Sequence, residues 1–389
     1  MSDLNHHQQN QNNSFPEEDY AVFNVTFEVT DSSLHDFNYN NTIYEMIEER
    51  VASPMEIFFT PCLITLGISG NLLALYVFFS SQLRYQSTSQ YLSALAISDS
   101  LFLAQLLPPW LSTMGISSIF HRDPFCKGFL YVSYVTCCLS SWLVIAFTIE
   151  RFIAVQYPLQ RPSVCTVRRA RYVIAGLVLG SMVVNLPVLH FTGSENGVCH
   201  IKKENLKQAA IFNWVDTTVT FTIPLTLIIF FNTWIATAVN RVKRHRIKLT
   251  QEELRAVRTA GRHTPRPSDL VYLRSQRRIT NMLLIVSTTF MVFNFPAYVL
   301  RLFGYAYDLV SDVDETWLMA QKIATLMFTV NFGINFFLYC FTGQNFRRAL
   351  VETVPCCRWI ARIFNTIFHR TPTNNGRTCS VTSEYFTST

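Results

Sequence analysis

Five charged residues lie within or at the edge of long apolar segments, and their types could do chemistry: Asp99, Glu150, Arg151, Asp216 and Arg301. A charge in the middle of a membrane costs about 2.5–3.5 kcal/mol, so such a group usually has a task and partners. Asp99 could hold a hard cation together with neutral oxygen ligands. Glu150 can hold the guanidinium of Arg151. Asp216 and Arg301 could pair with each other or with charged groups of a ligand.

Reaction chemistry is not indicated by these residues or by any other pattern. We find no cluster of metal ligands, no nucleotide-binding loop and no nucleophile at a usable distance from a base in the sequence. Only 15% of the 389 residues are charged and 49% are hydrophobic, against roughly 25% charged in ordinary soluble domains. We therefore expect a membrane protein that is not an enzyme and has no nucleic-acid partner.

Seven segments carry no charge or a single charge and are long enough to cross a bilayer as helices. In lipid every backbone polar group must be satisfied internally, which forces these segments to be helical. The predicted fold is an all-α membrane protein, a bundle of seven transmembrane helices. The segments are Ile57–Leu83, 85–121, Gly128–Ile149, Tyr172–Ser194, 208–240, Ile279–Leu300 and Ile323–Phe346.

The distribution of charge predicts the orientation of the bundle. Residues 1–50 hold ten acids and one basic residue, whereas residues 241–278 hold twelve Lys or Arg against three acids. The positive-inside rule places the second segment, between the fifth and sixth spans, in the cytoplasm. The N-terminus should therefore be extracellular and the C-terminus cytoplasmic, in a multi-pass protein of the plasma membrane.

The chain then divides into four predicted parts. They are a disordered extracellular tail (1–55), the bundle (56–345), a short amphipathic eighth helix along the membrane (346–357) and a cytoplasmic tail (358–389). Three Asn-X-Ser/Thr triplets in the first part could be glycosylated. They begin at Asn12, Asn24 and Asn40.

The third span has a distinctive layout. Cys126 stands 25 residues before Arg151, and the span ends in Glu150-Arg151-Phe152, followed by Pro158-Leu159. This layout resembles the third helix of rhodopsin-like G-protein-coupled receptors. Further motifs with consistent spacing are Gly70-Asn71, Leu95-Ala96-Ile97-Ser98-Asp99 and Asn335-Phe336-Phe337-Leu338-Tyr339. The resemblance covers residues 57–357 and implies a receptor that transmits an extracellular signal to heterotrimeric G proteins.

The resemblance implies a polar pocket around Asp99. Carried over residue by residue, Ser140, Asn331 and Asn335 would surround this carboxylate with neutral oxygens. The set could hold an allosteric sodium ion and water, since carboxylate and neutral oxygens suit a hard cation. The alternative is a hydrogen-bonded packing network without an ion. No other cofactor is expected.

The resemblance also implies a signalling switch at the inner end of the third span. Glu150 would hold Arg151 in the resting state and release it to an intracellular partner. Leu159 would be the apolar side chain that enters a pocket of the G protein. Gln276 stands where many relatives carry an acid that locks this arginine on the sixth helix, so that lock should be absent or replaced by a neutral hydrogen bond.

Several residues depart from the family pattern. Asn335 and Tyr339 keep the ends of the seventh-helix motif and would belong to the switch, but Phe336 replaces its proline. Asn294 replaces the tryptophan of the sixth helix, and Asn232 stands where the fifth helix often has tyrosine. These departures leave the predicted fold unchanged but put the detailed activation route in question.

The cysteines differ by the side of the membrane on which they should lie. Cys126 and Cys199 both fall on the oxidising outer side, and the resemblance implies that they form a disulfide. The alternative is two unrelated free thiols. Cys356 and Cys357 follow the amphipathic stretch on the inner side and are candidates for palmitoylation.

The outer half of the bundle should hold the ligand. Ser133 occupies the position where amine receptors carry an acid, which disfavours a monoamine, and Thr329 replaces the lysine to which opsins link retinal. Asp216 and Arg301 could form a purely structural salt bridge. Alternatively, Asp216 could bind a basic ligand group while Arg301 binds an acid or amide. Aromatic residues that could stack on a ligand are Trp110, Tyr134, Trp214 and Tyr298.

The overall pattern resembles neuropeptide receptors, in particular those for FMRFamide- or myosuppressin-like peptides. The cues are Asn335-Phe336-Phe337-Leu338-Tyr339-Cys340, Asn232 and the missing tryptophans of the fourth and sixth helices. This implies an amidated, RFamide-like peptide ligand and a heterotrimeric G protein. Ser and Thr residues at 378–389 could take phosphates and recruit an arrestin, and the basic residues of 241–278 could meet anionic membrane lipid. Alternatives are a small non-peptide or lipid ligand and a receptor that does not couple. An ion-coupled transporter is more remote, since no paired repeat is found.

Overall fold

The structure is a computed structural model that describes residues 37–114, 122–195, 198–260, 267–307 and 315–354. Six described helices are long and apolar enough to cross a membrane, and a bent pair of helices supplies a seventh crossing. The seven predicted spans are thus found in the predicted order. They are Ile57–Ser80, Ser87–Leu111, Asp123–Gln156, Val167–Phe191, Lys207–Arg241, Ile279–Phe303, and Met319–Gly333 with Asn335–Thr342.

The helices often extend beyond these spans or are divided within them. Their bounds are Phe37–Ser80, Ser87–Gln105, Leu107–Thr113, Asp123–Gln156, Arg161–Val164, Val167–Val184, Val188–Phe191, Leu206–Thr217, Ile223–Ala260, Pro267–Tyr307, Glu315–Gly333, Asn335–Thr342 and Gln344–Thr353.

The first helix begins at Phe37, well before the membrane crossing. The backbone of residues 37–55 is therefore helical, where the sequence predicted a disordered tail, and Asn40 lies in this helix. Extending an existing helix avoids the cost of nucleation, and the segment contains the helix-forming residues Glu45, Met46, Glu48 and Glu49. The predicted sites Asn12, Asn24, Cys356 and Cys357, and the tail 358–389, lie outside the described residues.

The third span lies at the centre of the bundle. It is 61% buried inside the protein, against 17% for the fourth span. Leu143 and Phe147 of the third span have no exposed surface and belong to the largest hydrophobic cluster, which also contains Tyr339. The residues at the inner end of the third span are therefore surrounded by other helices.

Prolines explain the irregularities of two spans. The second span breaks at Leu106, just before Pro108, and the fifth contains a π-helical turn at Thr218–Thr222, just before Pro224. Proline lacks the N–H that would continue the helical hydrogen bonds, so the preceding turn must rearrange. The sixth helix continues through Pro296.

The seventh span bends by 60° between Gly333 and Asn335, although Phe336 replaces the usual proline. Gly333 packs against the first span: a Cβ built on it would lie 3.0 Å from Leu63 Cδ1 and 3.4 Å from Gly67 Cα. Small residues allow helix backbones to approach closely in membranes. The bend therefore occurs where the two spans meet at their glycines.

The eighth helix, Gln344–Thr353, packs an apolar face against the bundle. Phe346, Ala349 and Leu350 are buried, while Arg347 Nη1 donates hydrogen bonds to the carbonyls of Cys340 (2.8 Å) and Phe341 (2.9 Å). These carbonyls belong to the last turn of the preceding helix, where backbone acceptors lack helical partners. Burial lowers the pKa of the Arg347 guanidinium.

A β-hairpin covers the outer end of the third span. Strands β1 (Thr192–Glu195) and β2 (Val198–Ile201) pair antiparallel, with Ser194 opposite Cys199. Asp123 Oδ1 accepts a hydrogen bond of 3.0 Å from the backbone N–H of Ser194, and strand β1 packs against the third span. The sequence predicts a span up to Ser194 and no strand here, whereas the last helix before the hairpin ends at Phe191.

Candidate functional site

Asp99 lies at the centre of a polar network inside the bundle and is almost fully buried. Ser140 Oγ donates to its Oδ1 at 2.9 Å, and Asn335 Nδ2 donates to its Oδ2 at 2.6 Å. Asn331, four residues before Asn335, is also buried. The structure thus brings together Asp99, Ser140 and Asn335, as the sequence predicted, and joins the second, third and seventh spans.

Five buried side-chain atoms have no hydrogen-bond partner among the described residues. Two of them are the side-chain oxygens of Asn71 and Tyr339, both almost completely buried. Asn71 uses its Nδ2 to donate a 2.9 Å hydrogen bond to the carbonyl of Phe332, just before the bend of the seventh span. Buried polar atoms without protein partners usually bind water. The donor set around Asp99, rich in oxygen, would suit water or a hard cation.

Arg151 is held in a compact polar cluster at the inner end of the third span. Its Nη2 lies 2.6 Å from Glu150 Oε1 and also donates to Thr88 Oγ1. Glu150 Oε1 accepts two more hydrogen bonds, from Ser87 Oγ at 2.9 Å and Thr88 Oγ1 at 2.8 Å. Only 3% of the surface of Arg151 is exposed. The guanidinium is therefore shielded from solvent in this conformation.

Ser87 and Thr88 are functional candidates that the sequence analysis missed. Both start the second helix (Ser87–Gln105), which packs closely against the third span. Hydrogen bonds to a charged group are stronger than neutral ones. The only available signal in the sequence was a Ser-Thr-Ser run at the inner end of a span, which is common and unspecific.

A second charged cluster lies in the outer half of the bundle. Asp216 Oδ2 is 3.0 Å from Arg301 Nη1, so the fifth and sixth spans are joined by an ion pair. Thr220 Oγ1 donates to Asp216 Oδ1 at 2.9 Å. Asn213 Oδ1 accepts hydrogen bonds from Arg301 Nη2 (3.4 Å) and Tyr134 OH (3.3 Å). This network links the third, fifth and sixth spans.

The other predicted ligand contacts occupy different places. Ser133 Oγ donates a short hydrogen bond to Gln105 of the second span. Tyr298 is buried and stacks on Phe221, with ring centroids 3.8 Å apart. Trp214, in contrast, is 47% exposed, although its neighbours Asn213 and Asp216 are buried. The helical periodicity turns Trp214 away from the charged cluster, so its position gives no support to a contact with the ligand.

A comparison with known protein families shows the class of the protein that carries these polar networks. Residues 70–339 match the model of the seven-transmembrane receptor family of the rhodopsin type. The chain belongs to the rhodopsin family of seven-transmembrane receptors. Family membership confirms the predicted class and bundle, and members are signalling receptors rather than enzymes, as the sequence also predicted.

Individual relatives of this rhodopsin-family receptor are similar over most of the chain. The FMRFamide receptor of Drosophila melanogaster is 26% identical over 73% of the chain and 50% of its own length. Somatostatin receptor type 4 of Rattus norvegicus is 25% identical over 76% of the chain and 71% of its own length. Neuromedin-U receptor 2 of Mus musculus is 25% identical over 76% of the chain and 74% of its own length. The match thus spans half of the FMRFamide receptor.

The departures of this rhodopsin-family receptor from its family pattern are accommodated locally. Asn294, in place of tryptophan, donates from its Nδ2 to the carbonyl of Phe290 in its own helix at 2.7 Å. Phe336 packs on the first span, since a Cβ on Gly70 would lie 3.1 Å from Phe336 Cβ. Asn232, in place of tyrosine, forms hydrogen bonds with Ser287 of the sixth span.

The inner surface of the receptor presents Leu159 and an aromatic cluster. Leu159 is 95% exposed, as a side chain that contacts a partner must be. Phe152, in place of the family's tyrosine, contacts Phe231 and Trp234 of the fifth span, with ring centroids 5.2 and 5.5 Å apart. Gln276 has no described side chain, so the predicted loss of a lock to Arg151 stays a prediction.

On the outer side, Cys126 is disulfide-bonded. The side chain of Cys199 lies outside the described part of the chain, although its backbone forms part of β2. Cys62, Cys137 and Cys138 are free. The pairing of Cys126 with Cys199 therefore stays a prediction, to which the position of the hairpin against the third span adds support.

Proposed function

We propose that this chain is a receptor of the plasma membrane that binds an extracellular peptide and transmits the signal to a heterotrimeric G protein. The observation that carries this proposal is the presence of two separate charged clusters in one bundle. The outer cluster contains Asp216 and Arg301, and the inner cluster contains Glu150 and Arg151. Relatives named for FMRFamide, somatostatin and neuromedin-U support a peptide as the ligand.

The ligand is proposed to act on the ion pair between Asp216 and Arg301. Asp216 is only 4% exposed and already has both Arg301 and Thr220 as partners. A basic ligand group, such as the arginine of an RFamide-like peptide, would therefore have to replace Arg301 at this carboxylate. The freed guanidinium of Arg301 would then bind an acid or amide oxygen of the peptide. Ser133, Tyr134 and Tyr298 would complete the contact surface.

A neutral small molecule or lipid is the second candidate ligand. Asp216 and Arg301 neutralise each other, and Asn213 and Tyr134 complete their hydrogen bonds. A site whose charges are internally balanced can accept an uncharged ligand without leaving a buried charge unpaired. The two candidates differ in whether the ion pair must open.

Further partners follow from the inner surface. Release of Arg151 from Glu150, together with exposed Leu159, would provide the contact with the G protein. Basic residues between 241 and 278 would meet anionic lipid, and palmitoylation of Cys356 and Cys357 would anchor the end of the eighth helix. Phosphorylated Ser and Thr residues at 378–389 would recruit an arrestin.

We also propose an allosteric sodium ion beside Asp99, held with Ser140, Asn331 and Asn335. The orphaned side-chain oxygens of Asn71 and Tyr339 support the presence of water in this region. The thermal stability of the purified chain should be higher in sodium chloride than in choline chloride of equal ionic strength. Asp99→Asn should remove this difference, and equal stability of the wild type in both salts would contradict the proposed ion.

The peptide proposal can be tested in cells that express the full chain. Calcium and cyclic-AMP responses would be recorded against a library of amidated peptides, and we expect peptides with arginine beside an amidated phenylalanine to be active. Arg151→Ala should abolish the response at unchanged surface expression. Asp216→Asn should raise the half-maximal concentration at least tenfold, because it removes a charge-assisted contact worth about 1.5–3 kcal/mol.

Thr218→Val is the matched control, because Thr218 is exposed on the same span and donates only to the carbonyl of Trp214 in its own helix. It should leave the concentration dependence unchanged. A peptide response that is insensitive to Asp216→Asn would overturn the proposed contact while keeping the peptide receptor. Silence of the surface-expressed wild type across the library, together with a response to a neutral lipid, would favour the second candidate.

A further inference from the structure

The fifth and sixth spans share a reciprocal hydrogen bond between two buried side chains. Asn232 Nδ2 donates to Ser287 Oγ at 2.9 Å, and Ser287 Oγ can donate to Asn232 Oδ1 at 3.1 Å. Ser287 has no exposed surface and Asn232 is also buried. Because both side chains are buried, Asn232 would lose its side-chain partner if the two spans separated, and an unpaired buried amide is costly.

The position of this pair along both helices is informative. Ser287 precedes Pro296 by nine residues and Asn232 follows Pro224 by eight, so the pair lies on the cytoplasmic side of both prolines. The ion pair of Asp216 and Arg301 lies on their outer side. Side-chain contacts thus link the fifth and sixth spans on both sides of Pro296, and proline is a position where a helix can bend.

Separation of the fifth and sixth spans at Asn232 and Ser287 would change access to Arg151. This guanidinium is buried, and the fifth and sixth spans both pack against the third span that carries it. A protein partner in the cytoplasm can contact Arg151 only if helices around the inner end of the third span separate. We propose that Asn232 and Ser287 are positioning residues that hold the cytoplasmic halves of the fifth and sixth spans together and keep Arg151 covered. This inference rests on the proposed function as a coupling receptor.

Asn232 and Ser287 differ in the side-chain hydrogen bonds that each keeps when the other residue is replaced. Ser287 Oγ can also donate to the carbonyls of Leu283 (2.9 Å) and Leu284 (3.2 Å) in its own helix. Asn232 has no second side-chain hydrogen bond among the described residues. Ser287→Ala would therefore leave a buried amide unsatisfied, which destabilises the folded protein. Asn232→Leu breaks the pair without leaving an unsatisfied group and is the cleaner variant.

The test measures helix separation directly. Two spin labels would be attached to cysteines introduced at exposed positions, Asn281→Cys on the sixth span and Arg168→Cys on the fourth. The distance between the two labels would be measured in the purified full chain, in which the other reactive cysteines have been replaced. We expect Asn232→Leu to increase the population of longer distances about threefold. This is the effect of an average interhelical hydrogen bond in a membrane. Signalling without ligand, per receptor at the cell surface, should rise by the same factor.

Two controls accompany this variant. Thr233→Val changes the exposed neighbour of Asn232, whose hydroxyl donates to Ile229 in its own helix at 2.7 Å, and should change neither readout. Adding Ser287→Ala to Asn232→Leu should open the helices no further, because residues that act through one shared contact are not additive.

The possible results separate this inference from the proposed function. An unchanged distance distribution in Asn232→Leu would overturn the inference, even if the wild type responds to a peptide. A shift to longer distances in a chain that activates no G protein would support the positioning role and contradict the coupling receptor. A distance change that Thr233→Val reproduces would also overturn the inference, since it would be unspecific.

Discussion

At the residue scale, the most consequential feature is how the charge of Arg151 is held inside the bundle. Beyond their mutual contact, Glu150 and Arg151 need further hydrogen-bond partners, although Arg151 Nε has none among the described residues. The hydroxyls of Ser87 and Thr88 supply hydrogen bonds from a neighbouring helix. Breaking a buried ion pair is costly when partners remain unpaired. These hydroxyls therefore contribute to the closed state of the switch.

We predict that Thr88→Ala increases signalling in the absence of ligand. The variant removes one hydrogen bond to Glu150 and one from Arg151, and a bond to a charged group contributes about 1.5–3 kcal/mol. Even the lower value corresponds to about tenfold in the equilibrium. Thr88→Ser keeps the hydroxyl and should behave as the wild type. Equal basal activity of the alanine and serine variants, normalised to surface expression, would contradict this role.

Cys165, in the segment between the third and fourth spans, has an unusual environment for a thiol. Burial, and secondly the nearby Glu150 carboxylate, raise the pKa of its thiol above the ordinary value. The thiolate is the reactive form, so less of it is present at a given pH. Alkylation of Cys165 should therefore require a higher pH than alkylation of an exposed cysteine.

This second prediction can be checked by mass spectrometry after brief treatment with iodoacetamide between pH 7 and 10 in mild detergent. A cysteine introduced at exposed Ser163 is the matched control. Coincident pH profiles for Cys165 and Ser163→Cys would show that the environment of the native thiol is ordinary.

At the scale of elements, the seventh span shows that a bend does not need proline. The 60° change of direction follows Gly333, whose Cα approaches Gly67 of the first span. Asn71, one turn further along the first span, donates to the carbonyl of Phe332. A close approach of two glycines and one side-chain hydrogen bond thus accompany the bend.

We predict that Gly67→Ala destabilises the receptor by about 1–3 kcal/mol, a usual cost of overpacking. The new Cβ would lie 2.5 Å from Leu103 Cδ1 and 3.1 Å from Gly333 Cα. The leucine end can rotate, but the backbone of the seventh span must move. Gly176→Ala is the control, because a Cβ there meets nothing within 4 Å. Equal thermal stabilities of the two purified variants would show that the glycine contact is unimportant.

At the scale of the whole molecule, charge asymmetry should orient the bundle. The acidic segment 1–50 and the basic segment 241–278 lie on opposite sides of an odd number of crossings. Positive residues near the membrane are retained in the cytoplasm. An extracellular N-terminus also places Cys126, which is disulfide-bonded, on the oxidising side.

This orientation predicts glycosylation of the N-terminal segment. Treatment of the expressed chain with an N-glycosidase should increase its electrophoretic mobility, and the triple variant Asn12→Gln, Asn24→Gln, Asn40→Gln should lose this shift. An epitope at the N-terminus should be accessible on intact cells, whereas one at the C-terminus should need permeabilisation. The reverse pattern of accessibility would contradict the orientation.

Much of the fold could be predicted from the sequence because span length and hydrophobicity are properties of contiguous residues. The structure agrees with the predicted spans and with a helix that follows the seventh span. It also contains the predicted contact of Asp99 with Ser140 and Asn335. The helical backbone of residues 37–55 was not predicted, because the polar composition of this segment indicated disorder. A polar composition does not prevent an existing helix from continuing.

Segments of membrane length with at most one charge are contiguous in the sequence and predict seven spans, and spaced motifs that resemble a known family predict a receptor. The contacts between distant residues are visible in the folded bundle and not in the sequence. The tertiary structure paired Asp216 with Arg301, placed Thr88 on Glu150, joined Asn232 to Ser287 and turned Trp214 outward. The physical reason is that such contacts depend on the rotation and separation of packed helices, which composition and spacing along one helix do not specify.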